Sequence, residues 1–375
     1  MPSGITESIP NAWSTPGPAA YDFRSDSATT PTLSMLQAIQ NTTLLDDVLH
    51  EDPTTNALED FLCDLTSHPA ALLVLSGTMG NQLALRSHLG APPHRILCDH
   101  RAHILEWEAG GTASLSSALT HSVVPANRQW LTLEDIRKNA ELSDDFHKAP
   151  TKVITLENTL GGEILPLDEA RAITTFAREH DIRTHLDGAR IWEAVAAQAA
   201  EGEHEGDMVK GLKAYCGLFD SVSLCFSKGL GAPIGSMLVG GEAFIKRARY
   251  MRKSVGGGMR MTGIIAAPAR VSVEETFLGG KLVGTHDMAR RVGRMWEERG
   301  GKLSQRVRTN MVWLDLRANG IEEETFVEIA LKHGVQSYEE RIVVHYQICE
   351  DAVQRLGKAM DEVLMVRGSQ TARIG

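Results

Sequence analysis

The sequence predicts an α/β protein with a mainly parallel sheet and a smaller α/β unit toward the carboxyl end. Three observations support this fold class. Short apolar runs alternate with helical patterns, the chain of 375 residues is long enough for two units, and the pattern changes to a long charged helix after Glu274. We expect a flexible amino-terminal arm at 1–21, rich in Pro, Ser, Gly and Ala, a large domain at 22–274 and a small C-terminal domain at 275–375.

Apolar runs and helical periodicity define the expected elements of the large domain. Candidate strands are Ala70–Leu75, Arg95–Cys98, Val153–Glu157, Arg183–Leu186, Ser221–Cys225 and Ser236–Val239. Candidate helices are Thr55–Thr66, Met79–His88, Leu167–His180 and Ala243–Lys253. Strands that alternate with helices pair in parallel through crossover connections, which predicts the parallel sheet. Weaker β-like segments follow in the small domain at Met311–Leu316, Val335–Gln336 and Ile342–Tyr346.

The composition is that of an ordinary globular protein, with 42% hydrophobic and 23% charged residues. The formal net charge of −10 argues against binding to nucleic acid or to an anionic membrane surface. No apolar run is long enough to span a bilayer, and the start of the chain lacks the basic and apolar regions of a signal peptide. The five cysteines follow no metal-ligand or disulfide spacing, which favours a reducing compartment, so we expect a cytoplasmic protein.

Chemically useful residues follow the candidate strands, where ligands bind in open parallel sheets. Lys228 comes just after one apolar run, and Asp187 follows another, with Arg190 three residues later. Gly77 and Thr78 follow a strand and begin a helix, as a phosphate site requires. Each feature alone has an ordinary explanation: a loop lysine, a capping aspartate or a turn. Together they predict pyridoxal phosphate, which needs a lysine for attachment, a carboxylate for its ring nitrogen and a helix terminus for its phosphate.

Eight segments, in order along the chain, resemble the low-specificity threonine aldolases of the aldolase and β-eliminating lyase group. They are "FRSDSATTPT", "DDVLHEDPTTNALE", "LSGTMGNQLAL", "RAHILEWEAGG", "LENTLGGEILPL", "HLDGARIWEA", "SKGLGAPIGSMLVG" and "GGGMRMTG". The resemblance runs from about Phe23 to Ala267 and continues more loosely through "RTNMVWLDL" and "RIVVHYQI". It implies the aminotransferase-like, fold-type-I architecture of pyridoxal-phosphate enzymes, with active sites at the subunit interfaces of a homodimer or homotetramer.

The resemblance also implies how the cofactor, pyridoxal 5'-phosphate, is held. Lys228 matches the lysine that forms the Schiff base, and Asp187 matches the partner of the pyridine nitrogen. Gly77 and Thr78 match the phosphate clamp, which Arg260 is expected to assist from the same or a second subunit. The implied cofactor-binding residues are Gly77, Thr78, His103, Asp187, Arg190, Lys228 and Arg260.

Further matches concern catalysis and the substrate. His103 matches the histidine that stacks on the cofactor ring, although by itself it suggests a buried histidine that only forms hydrogen bonds. His147 matches a second pocket histidine, for which a solvent-exposed loop position is the alternative. Ser25, Arg190 and Arg341 match groups that hold the substrate carboxylate. The sequence around Arg341, "SYEERIVVH", is shorter and more acidic than the family pattern.

The implied reaction is cleavage of L-threonine or L-allo-threonine to glycine and an aldehyde. His103 or His147 would remove the proton of the β-hydroxyl group. A β-elimination would instead require a leaving group that the sequence does not reveal. A non-catalytic relative is a further alternative, against which the joint presence of Lys228, Asp187 and His103 argues. No metal site is expected.

One segment departs from the family pattern. Leu49 and His50 stand where tyrosine and glycine are usual, and Glu51 stands where aspartate is usual. This difference has two alternative interpretations. One is neutral variation at the edge of the pocket, and the other is a changed reaction on the same scaffold. An amino-acid racemase, for example of alanine as among fungal relatives, would need Lys228 on one face of the substrate α-carbon and His50 or His103 on the other. The racemase is therefore the alternative function.

Overall fold

The computed structural model describes residues 11–371, which form a seven-stranded sheet covered by helices and a separate two-stranded sheet. The strands are β1 (Ala70–Val74), β2 (Arg95–Asp99), β3 (Leu119–Val123), β4 (Thr151–Glu157), β5 (Arg183–Gly188), β6 (Ser221–Cys225), β7 (Ser236–Gly240), β8 (Met311–Trp313) and β9 (Arg341–Val343). The α-helices are α1 (Leu33–Gln40), α2 (Pro53–Thr66), α3 (Gly77–His88), α4 (His103–Glu106), α5 (Gly111–Ser114), α6 (Leu133–Asn139), α7 (Leu167–Glu179), α8 (Ile191–Ala200), α9 (Met208–Cys216), α10 (Glu242–Ser254), α11 (Gly263–Ser272), α12 (Lys281–Glu298), α13 (Glu323–Lys332) and α14 (Glu350–Thr371). No helix in this described part of the chain is both long and apolar enough to cross a membrane.

The large sheet has the strand order β1-β7-β6-β5-β4-β2-β3, and the prediction of a mainly parallel α/β sheet is confirmed. Strand β7 runs antiparallel to both of its neighbours, β1 and β6. The link 226–235 between β6 and β7 contains no helix, and parallel pairing would require a longer crossover connection. The edge strand β3 was not among the predicted strands, because its sequence "LTHSV" is short and largely polar.

The two faces of the sheet bury different kinds of side chain. On one face, β6 residues Val222 and Leu224 pack in the largest apolar cluster, which includes residues of α2, α7, α8 and α9. On the other face, α3 crosses the centre of the sheet between two smaller apolar clusters. Because side chains alternate along a strand, Ser221 and Ser223 point to the α3 face. The sheet therefore has a polar centre beneath α3.

A second apolar cluster lies around β8, β9 and the helices α12, α13 and α14, and in it the buried rings of Trp296 and Phe326 meet edge to face. Phe23 belongs to this cluster and its amide donates to the carbonyl of Gln336. The expected arm falls partly on residues 1–10, which lie outside the described residues, whereas Gly17–Tyr21 form a 3-10 helix. The chain is helical across the expected boundary at 274/275, so that boundary stays a prediction.

Candidate active site

A cavity of about 280 Å³ lies at the carboxyl ends of the parallel strands. Five predicted site residues line it together: Gly77, Thr78, His103, Asp187 and Lys228. They come from four places in the chain, namely the start of α3, the start of α4, the end of β5 and the loop after β6. The fold therefore assembles in one cavity the groups that the sequence identified separately.

The α3 end of the cavity offers donors for an anion. Ser76 caps the helix, with its hydroxyl accepting from the amide of Met79 at 3.1 Å. The first amides of a helix have no intrahelical acceptor, so those of Gly77 and Thr78 are free to bind a ligand. The hydroxyl of Ser236 also lines the cavity, where it is buried without a hydrogen-bond partner. A phosphate group fits this end of the cavity.

Asp187 lies at the end of β5 and is held from two sides. Its Oδ1 accepts from the amide of Ala189 at 3.0 Å, and its Oδ2 accepts from Nδ2 of Asn81 at 2.7 Å. Asn81 lies on α3, and its Nδ2 also donates to Oε1 of Glu108 at 2.9 Å. These donors fix the carboxylate at the strand end, where it can meet the ring nitrogen of a bound pyridoxal phosphate.

His103 begins α4 and is oriented by a buried carboxylate. Its Nδ1 lies 2.8 Å from Oε1 of Glu108, whose other oxygen accepts from Nε2 of Gln82 at 2.6 Å. The hydrogen bond to Glu108 raises the pKa of His103, against the opposing effects of burial and of the Lys228 charge. Because Nδ1 is engaged, Nε2 is the ring atom left to exchange a proton with a ligand in the cavity.

Glu157 is an acidic group that the sequence analysis did not identify. It ends β4 directly opposite Asp187 in the register of β4 and β5, and its Oε2 accepts from the backbone amide of His103 at 3.1 Å. Burial, followed by the negative charge of Asp187, raises the pKa of Glu157 to about 7. One of the two neighbouring strand-end acids is thus able to hold a proton near neutral pH.

Arg190, directly after β5, and Arg341, at the start of β9, are close enough for their charges to interact. Asp26 is fully buried and binds Arg190 through two hydrogen bonds of 2.7 Å, from Nε and from Nη2. Burial and then the charge of Arg190 lower the pKa of Arg341, whose Nε is buried without a hydrogen-bond partner. Two adjacent guanidinium groups with unused donors form a good site for a carboxylate. Ser25 precedes Asp26, and its hydroxyl lies 2.8 Å from that of Ser27, which lines the cavity.

Six predicted residues do not line this cavity in the described chain: Ser25, Arg190 and Arg341, which lie as given above, and His147, His50 and Arg260. His147 is exposed on the loop before β4, where its Nδ1 lies 2.9 Å from Oδ1 of Asp145. His50 lines a different cavity, and its Nδ1 lies 2.8 Å from Oδ1 of Asn56. Arg260 is exposed and pairs with Asp46. Each of these three side chains has a local partner, and their roles at the site stay predictions.

The ligand-type atoms of His103, Glu108 and Asp187 lie within 4.8 Å of one another. Donors already occupy both carboxylates, and His103 binds Glu108 directly. The free groups around this cluster are a lysine and helix amides. Within residues 11–371, Nζ of Lys228 makes no hydrogen bond or ion pair, so it is available for covalent attachment.

The sequence analysis also missed partners that the folded chain supplies. Glu108 and Asn81 lie inside the quoted segments "RAHILEWEAGG" and "LSGTMGNQLAL", where a polar residue in an apolar stretch was the available signal. Asp26 lies inside "FRSDSATTPT" beside Ser25. Asn310 donates to Oδ2 of Asp26 at 3.0 Å from a position 284 residues away, which no local pattern indicates.

The fold and the cavity define an enzyme of the fold-type-I pyridoxal-phosphate class, with a lysine, a strand-end aspartate and a helix terminus in one site. The chain belongs to the β-eliminating lyase family, whose sequence model matches residues 22–319. The solved structure of threonine aldolase from Leishmania major has the same fold. It superimposes with a TM-score of 0.77 at 18% identity and covers 92% of this chain and 99% of that one.

Three curated relatives are similar over nearly the whole chain. Aldolase vrtJ of Penicillium aethiopicum is 51% identical, covering 94% of this chain and 88% of the relative. The low-specificity L-threonine aldolase of Candida albicans is 46% identical, covering 92% of this chain and 90% of the relative. Alanine racemase TOXG of Cochliobolus carbonum is 42% identical, covering 96% of this chain and 92% of the relative. The relatives therefore include two aldolases and one racemase.

Proposed function

We propose that the protein is a pyridoxal-phosphate-dependent lyase that cleaves β-hydroxy amino acids of the L-threonine and L-allo-threonine type to glycine and an aldehyde. One observation carries this proposal. Lys228, Asp187, His103 and the amino-terminal amides of α3 line a single cavity in a chain of the β-eliminating lyase family. Relatives named low-specificity L-threonine aldolase support the choice of substrate.

When bound, pyridoxal phosphate supplies an electron-accepting ring that stabilises the charge left on the α-carbon as a bond breaks. Lys228 holds the cofactor covalently, and Asp187 keeps its ring nitrogen protonated. Gly77 and Thr78 bind its phosphate through their free amides and the positive end of α3. The cavity therefore provides partners for the aldehyde, the ring nitrogen and the phosphate of the cofactor.

The remaining groups act on the substrate. Arg190 and Arg341 bind its carboxylate, and this orientation determines which bond at the α-carbon is broken. His103 accepts the proton of the β-hydroxyl group through Nε2, and its contact with Glu108 makes the imidazole a stronger proton acceptor. As this proton leaves, the bond between the α- and β-carbons breaks, the β-carbon leaves as the aldehyde, and the α-carbon takes up a proton to give glycine.

The test is aldehyde release from L-threonine and L-allo-threonine by the cofactor-loaded protein. We expect release by the unaltered chain and none by Lys228→Ala, which should also lack the visible absorbance of covalently attached cofactor. The matched control is Lys152→Ala, which removes an exposed lysine of β4 that does not line the cavity. Full activity of Lys228→Ala would refute the proposal.

Alanine racemisation is the second candidate function. It is favoured by the 42% identity to alanine racemase TOXG and by His50 at a position where the threonine aldolases usually have glycine. Release of aldehyde with no change in the chirality of L-alanine excludes it. Cofactor-loaded protein that interconverts L- and D-alanine without releasing aldehyde would replace the lyase proposal with this one.

We also propose that the protein works as a homo-oligomer, a dimer or a tetramer. The segments 44–49 and 260–264 pack together through the bond from the amide of Asp47 to the carbonyl of Arg260. They expose large apolar side chains to solvent: Leu44, Leu45, Leu49, Met261 and Ile264. A second copy would cover these side chains and bring Arg260 and His50 to the partner's cavity. Restored activity on mixing inactive Lys228→Ala and Arg260→Ala proteins would support shared sites, and a monomer by sedimentation would refute them.

The proposed compartment is the cytoplasm. All five cysteines of the chain are free, which a reducing environment maintains. Fractionation of the producing cell tests this proposal, and recovery of the protein from a secreted fraction would contradict it.

A further inference from the structure

A continuous chain of hydrogen bonds leads from Asp187 away from the cavity and along the sheet. Asn81 donates to Asp187 and places its Oδ1 3.1 Å from Nε2 of His185. Nδ1 of His185 lies 2.9 Å from the hydroxyl of Ser221. That hydroxyl lies 2.7 Å from Nε2 of His88, near the carboxyl end of α3. Five side chains, from the strand-end carboxylate of Asp187 to the half-buried His88 at the end of α3, are thus connected.

The fold aligns these side chains through two simple periodicities. His185 and Asp187 are two residues apart on β5 and therefore point to the same face, and Ser221 pairs with His185 in the register of β6. Asn81 and His88 are two helical turns apart on α3, so they lie on one side of it. Gly80 allows α3 to approach, because a Cβ at this position would lie 2.5 Å from the hydroxyl oxygen of Ser223.

Hydrogen-bond chemistry fixes the direction of this chain. The carboxylates of Asp187 and Glu108 both accept from one end of the Asn81 side chain, so that end is the amide nitrogen. The amide oxygen then faces His185, whose Nε2 must carry the proton. Burial lowers the pKa of His185 to about 4, so its ring is neutral near pH 7 and Nδ1 accepts from Ser221.

The last link follows from the same rule. A hydroxyl group has one proton, and Ser221 uses it toward His185. Its oxygen therefore accepts from Nε2–H of His88, whose ring stacks on Phe244 with centroids 4.4 Å apart. In each of these four hydrogen bonds, the proton lies on the group farther from Asp187 and points toward it. Aligned hydrogen bonds polarise one another in a buried site, so the chain strengthens the donor that Asn81 offers to the carboxylate.

We propose that His185, Ser221 and His88 are positioning residues, which fix the amide of Asn81 as a donor to Asp187 and so stabilise the carboxylate that pairs with the ring nitrogen of the cofactor. None of the three lines the cavity in the described part of the chain. They act through Asn81 and Asp187 rather than by touching cofactor or substrate. This inference rests on the cofactor site of the proposed function.

The experiment measures the protonation of the cofactor directly. The protein is loaded with pyridoxal phosphate that carries ¹⁵N in its ring, and the ¹⁵N chemical shift is recorded without substrate. In His185→Phe, which loses both hydrogen bonds of the ring, the shift should move toward that of an unprotonated pyridine. Turnover should fall by about tenfold, the factor that one hydrogen bond to a charged group commonly contributes, with little change in KM. His185→Gln keeps an N–H that can reach Asn81 and should restore most of the shift.

Two further variants separate positioning from folding. His94→Phe removes another buried histidine, whose Nε2 bonds only to the carbonyl of Ser116, and should leave the ¹⁵N shift unchanged. Ser221→Ala removes one hydroxyl from the chain and should move the shift in the same direction as His185→Phe, by less. If His185→Phe does not fold, the ¹⁵N shift of Ser221→Ala alone tests the inference.

An unchanged ¹⁵N shift in folded, cofactor-loaded His185→Phe and Ser221→Ala would overturn the inference. An equal change of the shift in His94→Phe would also overturn it. The measurement contains no substrate, so a protein that binds the cofactor but does not cleave threonine still tests the proposed series of hydrogen bonds. Failure of the unaltered protein to bind pyridoxal phosphate would instead refute the proposed function.

Discussion

Replacing Asp26 by asparagine should destabilise the protein strongly, although Asp26 lies in an irregular segment near the amino terminus. Its carboxylate is fully buried and forms two hydrogen bonds of 2.7 Å with Arg190 and one of 3.0 Å with Asn310. Asparagine keeps the shape of the side chain but removes its charge. The guanidinium group of Arg190, only 12% exposed, then lacks its counter-ion.

The magnitude follows from the pKa of Asp26. Burial raises this pKa, but the charge and hydrogen bonds of Arg190 outweigh burial and lower it from 3.8 to about 2. At about 1.4 kcal/mol for each tenfold change, this lowering corresponds to about 2 kcal/mol of stability near neutral pH. Leaving one member of a buried ion pair alone costs about 3–5 kcal/mol. We therefore expect Asp26→Asn to lower the free energy of unfolding by about 2–5 kcal/mol.

The sign of the pH dependence is also defined. A carboxyl group with a lowered pKa stabilises the native state above its unfolded pKa of 3.8, and this stability is lost as the pH falls through about 2. The difference between the unaltered protein and Asp26→Asn should therefore shrink as the pH falls, to roughly half by about pH 3. Urea unfolding followed by circular dichroism at several pH values measures it. Asp351→Asn, which breaks an exposed pair with Arg355, is the control and should have little effect. Equal midpoints for Asp26→Asn and the unaltered protein near pH 7 would refute this reasoning.

Three further substitutions test other parts of the site. Asp187→Asn should retain cofactor but lose at least about tenfold in turnover, because the ring nitrogen loses its charged partner, and unchanged turnover would contradict that role. Because the pKa of Glu157 is raised from 4.5 to about 7, stability should decline as the pH rises through this window. In Glu157→Gln, the stability measured by thermal unfolding should not decline over this pH window. A decline that persists in this variant would show that another group causes it. Gly229→Ala should destabilise the Lys228 loop by about 1–3 kcal/mol, because Gly229 has a φ of +72° and its Cβ would lie 2.5 Å from Oε1 of Glu193. Gly241→Ala, with open space around its Cβ, is the control in thermal unfolding, and equal losses would contradict the steric explanation.

The sequence by itself determined the elements whose residues interact with near neighbours. The run Ser221–Cys225 is a strand with the predicted bounds, and the predicted helix Met79–His88 is the body of α3. The residues that follow strands in the sequence, Asp187 and Lys228, reach one cavity because the carboxyl ends of parallel strands meet at one edge of the sheet. Local periodicity and this general rule were sufficient for that part of the site.

The tertiary structure alone decided which polar side chains support the site. Asp26 meets Arg190 across 164 residues of sequence, and His185 meets Asn81 across 104. In the sequence, a polar residue that faces solvent and one that faces a packed helix produce the same alternating pattern. The packing of α3 on β5 and β6 distinguishes them, because only there must each buried polar atom find a specific partner. The same reason explains why resemblance for His147, and a departure from the family pattern for His50, did not show the local partners that these side chains have in the structure.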